Sequence, residues 1–472
     1  MENPSPASIL IIGSGVFGLS TAWALTKRPQ FADTSITVVD DTSTGQFPPE
    51  DCASVDSSRI IRADYADPDY TALAAEAQSE WRKQGDDDLG GQGRYNESGL
   101  VLAAYQDSLE LDAGIKSGMY YVKKSWENCV KVAQRDGQPA DKIKVLGSTE
   151  ALNSCLGTDT HTGDWGYLNS LSGWANADMG MKWLYNRVNA TGRVSFVNAK
   201  VEQLTTEGDK VTGAKLSDGK CLAADVVLVA AGAWTGGLID LRGRVEASGH
   251  VLAYIEVSEE ECAVLSKQPI VLNLTCGLFM VPPQGNMLKV ARHSFGYLNP
   301  GTVHHALPLS PELKREPIVI SKPHTSRDGI IGRLPHEADV HLREGLAKLS
   351  PIKGLEDRPW KKTRLCWYSD TKDGDWLVDW HPGWKGLFIA TGDSGHGYKF
   401  LPLLGDKVLD CMLGKGGVYG QKWKWKDLED ESLGREVDGK FRGLITMDGS
   451  RGLPAGLVLE EELLRAPPSK VV

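Results

Sequence analysis

Residues 8–27 read SILIIGSGVFGLSTAWALTK: an apolar run, then Gly13-x-Gly15-x-x-Gly18, then a stretch able to continue as a helix. Residues 36–40, ITVVD, follow as a second apolar run that ends in an acid. Strand, glycine turn, helix and acid-tipped strand in that order predict a βαβ dinucleotide-binding unit. Gly13 makes the tight turn, Gly15 lets the backbone approach a pyrophosphate, and Gly18 lets the helix pack on the strand. Asp40 is placed to accept hydrogen bonds from a ribose, which favours FAD or NAD over NADP.

At 472 residues the chain is too long for one core, and two interleaved domains are expected. The reading is an α/β chain. A Rossmann-type cofactor domain occupies 1–95, 161–240 and 369–472, the last part with a C-terminal extension. An α+β substrate domain on a mixed antiparallel sheet occupies 96–160 and 241–368. Charged residues at 24% and hydrophobic ones at 41% suit a soluble enzyme. The net charge of -10 argues against nucleic acid as a partner. No run approaches the ~20 apolar residues of a membrane span. The N-terminus, with Glu2, does not read as a secretory signal, and the final Ser-Lys-Val-Val is not a peroxisomal address, so a cytoplasmic location is expected. Eight cysteines without a CxxC fit reduced thiols rather than disulfides or zinc, and no metal site is expected. The sequons at Asn96, Asn189 and Asn273 are read as chance, and Lys422-Trp-Lys-Trp-Lys426 as a packing segment with solvated lysine tips.

The chemistry concentrates in residues 364–402, RLCWYSDTKDGDWLVDWHPGWKGLFIATGDSGHGYKFLP. A strand around Cys366 leads through a polar turn to a second strand ending near Asp379. Leu387–Ala390 is a buried-strand candidate that delivers Gly392-Asp-Ser-Gly-His-Gly397 onto a helix running to Met412. Such a junction gathers backbone N–H groups and the positive end of a helix dipole, which suits a phosphate or a group that becomes anionic during a reaction. Arg59 and Arg62 would share a helical face and form either a carboxylate or phosphate clamp or a solvated pair. Lys289 and His293, four apart in MLKVARHSF, share one face of a strand, either toward a cofactor or toward water. Helices are predicted over 71–83, 176–188 and 338–350, and an antiparallel hairpin leading to a core strand over 194–230. Residues after 413 carry no functional reading.

Taken together the FAD fingerprint at 13–18, SRIIR at 58–62, Lys289 with His293, RLCWYSD at 364–370 and GDSGHGYKFLP at 392–402 resemble one family. It is that of monomeric sarcosine oxidase, with L-pipecolate oxidase, L-saccharopine oxidase and the fungal amadoriases. The resemblance spans residue 8 to about 415. It implies FAD held by Gly13, Gly15, Val16, Phe17, Gly18, Asp40, Ser58, Arg59, Val201, Asp393, Gly395, His396, Gly397 and Lys399. It also implies an 8α-S-cysteinyl link through Cys366. Arg62 and Lys399 would bind a substrate carboxylate, and Arg59 would sit by the flavin ring. Lys289 would promote reaction with O2. Tyr368 and His293 would line the substrate pocket. The Gly395-His396-Gly397 turn would stabilise negative charge on the reduced flavin. Amadoriases carry glutamate and arginine where this chain has His293 and His396, which places it nearer the sarcosine oxidases.

The expected activity is oxidation of a secondary-amine α-amino acid to an imine, with O2 reduced to H2O2, by a monomer. Alternatives are a fructosyl amino acid oxidase, an amadoriase-like oxidase of N-methyl aromatic amino acids from fungal alkaloid biosynthesis, a flavin dehydrogenase that bypasses O2, a non-catalytic flavin protein, and an NAD enzyme. Only the unprotonated amine has the lone pair that drives C–H cleavage, so activity should rise with pH through an apparent pKa.

Overall fold

The computed structural model describes residues 5–106, 114–328, 334–452 and 454–465. Glu2 and the final four residues, which carry the localisation expectation, lie outside them. Two sheets organise the chain. The first has six strands in the order Leu377–Trp380, Leu387–Thr391, Val226–Val229, Ser8–Ile12, Ser35–Asp40, Val194–Asn198. All its pairings are parallel except the first. Ser8–Ile12 lies at its centre, with Ile9 and Ile11 against helices and Leu10 and Ile12 against a small three-stranded sheet, so its residues read as a near-continuous apolar run, as strands buried on both faces do. The helix Val16–Lys27 starts at the glycine turn, and Leu401–Met412 packs along it.

The second sheet has ten strands and is mostly antiparallel. Its axis is the long strand Glu246–Glu256, buried over all but its last residue. Lys362–Asp370, which carries Cys366, pairs along one side of it, and Met287–Arg292, which carries Lys289, along the other. The sheet continues through Leu278–Gln284 and Ile270–Asn273 to Leu100–Ala104, Trp165–Asn169 and Ile143–Leu146. Trp165–Asn169 thus hydrogen-bonds into this sheet, although the sequence reading groups it with the cofactor part. Its partner Leu100–Ala104 decides the placement.

Three local expectations change. Arg59–Ile61 is a short strand rather than a helix, because Arg59 and Ile60 pair with Ala175 and Trp174. The helix before Met412 begins with a tight turn at Tyr398–Phe400. Of the lysines of 422–426, Lys424 is an exposed tip as expected, but the other two are ion-paired. Lys422 pairs with Asp67 at 2.6 Å and Lys426 with Asp375 at 2.9 Å, while Trp423 is fully buried between them. Among the described residues no helix is long and apolar enough to cross a membrane.

The C-terminal segment returns to the second sheet. Leu457–Val458 pairs with Tyr297–Leu298, and Met447 exchanges backbone hydrogen bonds with Lys372 and Lys116. The Leu444 N–H donates to the buried carboxylate of Glu246, at the start of the axial strand. Burial, helped by the nearby Asp370 charge, pushes the Glu246 pKa up to about 8, against the Leu444 bond. A carboxyl whose pKa is raised on folding binds its proton more tightly in the native state. Its contribution to stability is full below the ordinary carboxylate range and is lost as pH rises toward 8. Thermal unfolding of Glu246→Gln should coincide with wild type near pH 5 and exceed it above pH 8. Parallel curves across that range would contradict this origin of the pH dependence.

Candidate active site

At the glycine turn, Gly13 sits at φ +103, and a Cβ there would lie 2.4 Å from the Ala230 carbonyl oxygen. A Cβ on Gly18 would lie 1.9 Å from the Gly13 carbonyl oxygen, so the helix can approach the strand only without side chains. Asp40 ends the second strand over this turn and accepts from both the N–H and the hydroxyl of Ser14, each at 2.7 Å. Val16 and Phe17 form the first helical turn and are buried. Val201 opens the strand Val201–Glu207, pairs with Leu216 in a separate small sheet, and packs against the apolar cluster that holds Ile12 and Val39 of the two strands flanking the turn.

Where the second sheet meets the Arg59–Ile61 strand and the turn after Leu387–Thr391 lies a cavity of about 80 Å³ lined by Ser58, Arg59, Arg62, Lys289, His293, Cys366, Tyr368, Gly395, His396 and Lys399, with apolar residues between them. Every expected catalytic and carboxylate-binding residue therefore faces one space. The second glycine-rich turn closes it. Gly395 has φ +67, and a Cβ there would lie 2.3 Å from the Tyr368 ring, so the turn and the Cys366 strand meet only with glycine at this position. Asp393 braces the same turn by accepting from the Ser369 hydroxyl at 2.8 Å.

One buried carboxylate arranges the wall beside Cys366. Asp56 accepts from Lys289 Nζ at 2.6 Å, and from Arg59 and the Tyr254 hydroxyl. Lys289 also donates to the Ser58 carbonyl at 3.0 Å, and Arg59 reaches the Cys366 sulfur at 3.4 Å. Burial opposes ionisation of Asp56, but Lys289, then Arg59 and Arg364, hold its pKa well below the usual range. Burial lowers the Lys289 pKa to about 8, with Asp56 opposing the shift and Arg59 adding to it. The carboxylate is thus firmly charged, and Lys289 is the member of the pair that gives way first.

The opposite wall carries cations without a counter-ion. Arg62 and Lys399 are buried, and among the described residues neither forms an ion pair. Arg62 lies 4.9 Å and Lys399 5.2 Å from the centre of the Tyr65 ring. Lys399 Nζ donates to the Tyr65 hydroxyl at 2.9 Å and to the His396 carbonyl at 3.0 Å, while Arg62 Nη1 has no partner among the described residues. Burial, then the Arg62 charge, lowers the Lys399 pKa well below that of an ordinary lysine. His396 is neutral, its pKa lowered by burial and then Lys399. It donates from Nε2 to the Gly374 carbonyl at 2.8 Å, which leaves Nδ1 to accept from the Tyr65 hydroxyl at 3.0 Å. The direction of each bond follows from the carbonyl, which can only accept.

Sequence reasoning missed Asp56, Tyr65, Tyr121 and Arg451. Asp56 and Tyr65 flank the SRIIR motif and lay within its reach. Arg451 follows a Gly-Ser turn in the unread C-terminal part and left no signal. A second cavity, of about 290 Å³, shares Arg62, His293 and His396 with the first and is lined further out by Tyr65, Tyr70, Tyr120, Tyr121 and Asp448. Among the described residues no group of side chains is arranged to hold a metal ion.

The residues fit a flavin dinucleotide. The glycine turn can take a pyrophosphate, and the buried Ser58 hydroxyl at the cavity has no partner among the described residues. The charge pattern of the wall generates a prediction. Replacing Asp56 with Asn leaves Lys289 and Arg59 buried together without their anion. The loss should be about 3–5 kcal/mol of unfolding free energy, read from urea denaturation, and a loss under about 1 kcal/mol would contradict the arrangement.

Residues 8–410 match the model of the FAD dependent oxidoreductase family. An amino acid oxidase of Aspergillus flavus is 31% identical over 468 residues, covering 88% of this chain and 95% of that protein. The L-saccharopine oxidase of Schizosaccharomyces pombe is 28% identical, covering 89% and 93%. Among solved structures, a fructosyl peptide oxidase from E. terrenum superposes with a TM-score of 0.76 at 21% identity over 98% of both chains. The fructosamine oxidase Amadoriase II of Aspergillus fumigatus superposes with a TM-score of 0.71 at 26% identity, covering 93% of this chain and 95% of that one. With the glycine turn, the two-sheet architecture and the shared cavity in place, the chain belongs to the FAD dependent oxidoreductase family and has the fold of the amadoriases.

Proposed function

We propose that this protein oxidises a secondary-amine α-amino acid at its C–N bond and passes the electrons to O2. The observation that carries the reading is the pair of buried cations, Arg62 and Lys399, without a carboxylate partner among the described residues. Buried charge is costly unless it is paired. The charged Arg62, beside a Lys399 amine whose proton an incoming anion would stabilise, makes a preformed site for an anion, and a substrate carboxylate is the group that a planar guanidinium and an ammonium hold best. The names of the relatives, oxidases of amino acids and of saccharopine, support this class.

Bound FAD would supply the two-electron acceptor. It would be held by the Gly13–Gly18 turn, Asp40, Arg59 and the Gly395–Gly397 turn, with a covalent bond to Cys366 proposed. Arg62 and Lys399 fix the carboxylate end of the substrate, and the apolar wall of Leu272, Phe279 and Val281 excludes water. Tyr368 and His293 border the space left for the amine. Burial raises the Tyr368 pKa, so it stays a neutral phenol. The surrounding cations Arg62, Lys399 and Lys289 disfavour a protonated amine and so favour the form that carries the reactive lone pair. Lys289, positively charged below about pH 8, places a cation at the Cys366 wall, where negative charge develops when O2 is reduced.

The far end of the substrate would enter the tyrosine-lined second cavity. A fructosyl amino acid is the second reading, supported by the fold likeness. The cavity is lined by four tyrosines together with Lys116, Asp67, Asp373, Asp375 and Asp448, so its chemistry accepts either an aromatic or a hydroxylated N-substituent.

Arg62→Met should raise KM for an N-methyl amino acid by about 100-fold or more while kcat changes less. An unchanged KM would remove the clamp from the account. Acid precipitation should leave the yellow colour in the pellet for wild type and release it from Cys366→Ala. Colour in the wild-type supernatant would overturn the covalent bond and leave the clamp untouched.

A further inference from the structure

We infer that Arg451, on the C-terminal segment, is a positioning residue of this site: it bolts His293 to the glycine-rich turn and to the end of the Cys366 strand, and holds the His293 ring neutral. The Arg451 side chain is 1% exposed. Its guanidinium lies 2.7 Å from His293 Nδ1 and 3.0 Å from Nε2, and donates to the Asp370 carboxylate at 2.6 Å and to the Ser394 carbonyl at 2.8 Å. These three partners stand on three segments: the end of Met287–Arg292, the end of Lys362–Asp370, and the turn before Gly395. Ser394 holds φ +45, a left-handed conformation uncommon outside glycine, and the Arg451 bond to its carbonyl helps fix it.

A guanidinium can only donate, so the ring nitrogen it meets must keep its lone pair. The groups facing His293 point the same way. Arg62 and Lys399 act from the carboxylate-binding wall, His250 lies 6.4 Å away on the axial strand, and the Tyr368 ring lies 6.2 Å away. Asp370 is bound on the far side of Arg451, and Asp448 lines the outer cavity. Burial, then Arg451, keeps the His293 pKa well below the ordinary value. His250, which stacks on Tyr368 at 3.9 Å, is likewise lowered, to about 4, by burial against the pull of Asp370. Removing Arg451 takes away the cation closest to His293 and leaves Asp370 free to attract a proton to either ring. A proton on His293 would put a further cation where the substrate amine must lie uncharged.

Ring-labelled histidine NMR of the isolated holoenzyme, with the His293 signal assigned from His293→Gln, reads this without turnover. The wild-type His293 ring should not titrate between about pH 5.5 and 8, whereas in Arg451→Met, with burial still opposing the proton but the nearest cation gone, protonation should become visible toward the acid end of that range. Arg451→Lys, which keeps the charge and a donor, should restore the untitrated ring. The kinetic arm rests on the amine-oxidase reading: the ratio of variant to wild-type kcat/KM should fall as pH drops from about 8 to 5.5 for Arg451→Met. A His293 ring that stays neutral in folded Arg451→Met, or that titrates in wild type, overturns the proposal whatever the substrate proves to be. Should Arg451→Met fail to fold, Arg451→Gln is read in the same way. If neither folds while Arg451→Lys does, the role is structural and the proposal fails.

Discussion

The site depends on the burial of one charge, the carboxylate of Asp56. It lies where the segment before Arg59 crosses the axial and Lys289 strands, and Tyr254 and Lys289, which are cross-strand partners, both reach it. Arg59 completes the set and is carried by that contact to the Cys366 sulfur. One anion thus orders a lysine, an arginine and a tyrosine from three strands. Buried ionic groups contribute little net stability but penalise any other arrangement strongly, because each lost partner leaves a stranded charge. The wall that faces the proposed flavin is therefore fixed before a cofactor or substrate arrives.

The opposite wall is built on the reverse principle. Arg62 and Lys399 are as buried as Lys289, but among the described residues no carboxylate pairs with them. Aromatic faces and neutral acceptors support them instead, through Tyr65, Tyr121 and the His396 carbonyl. Such cations are stabilised incompletely, and an incoming carboxylate completes them. Binding energy stored in this way can be spent on orienting the amine, the end of the substrate at which oxidation occurs. Arg451 belongs to neither wall: its two terminal nitrogens are held by His293, Asp370 and Ser394, and its effect falls on the histidine between the walls.

Much of this was legible in the sequence because the motifs are local. A glycine turn between a strand and a helix announces its geometry, and Gly392–Gly397 reads in the same way. The residues that line the cavity were recoverable from SRIIR, Lys289 with His293, and the Cys366 strand. What was not legible depends on distant pairing. Two β-branched isoleucines between the arginines are compatible with strand or helix, and only Ala175 and Trp174, more than a hundred residues on, settle it as strand. Trp165–Asn169 joins the second sheet because Leu100–Ala104 lies beside it. Arg451 sits in a polar, glycine-rich stretch without periodicity, and its part in the site comes entirely from where the chain returns. Lys422 and Lys426 look solvated in isolation and become ion-paired only when Asp67 and Asp375 are brought to them.

The central claim is that the cavity recognises an amino acid by its carboxylate and oxidises it at its secondary amine. The most direct measurement mixes the holoenzyme anaerobically with an N-methyl or cyclic amino acid, and separately with the same amine lacking its carboxylate, and follows the flavin absorbance. The account predicts rapid bleaching by the amino acid, little or none by the decarboxylated amine, and one equivalent of H2O2 when O2 is admitted. Equal bleaching by both compounds would contradict the carboxylate clamp. No bleaching by any secondary-amine amino acid would contradict the proposed activity itself.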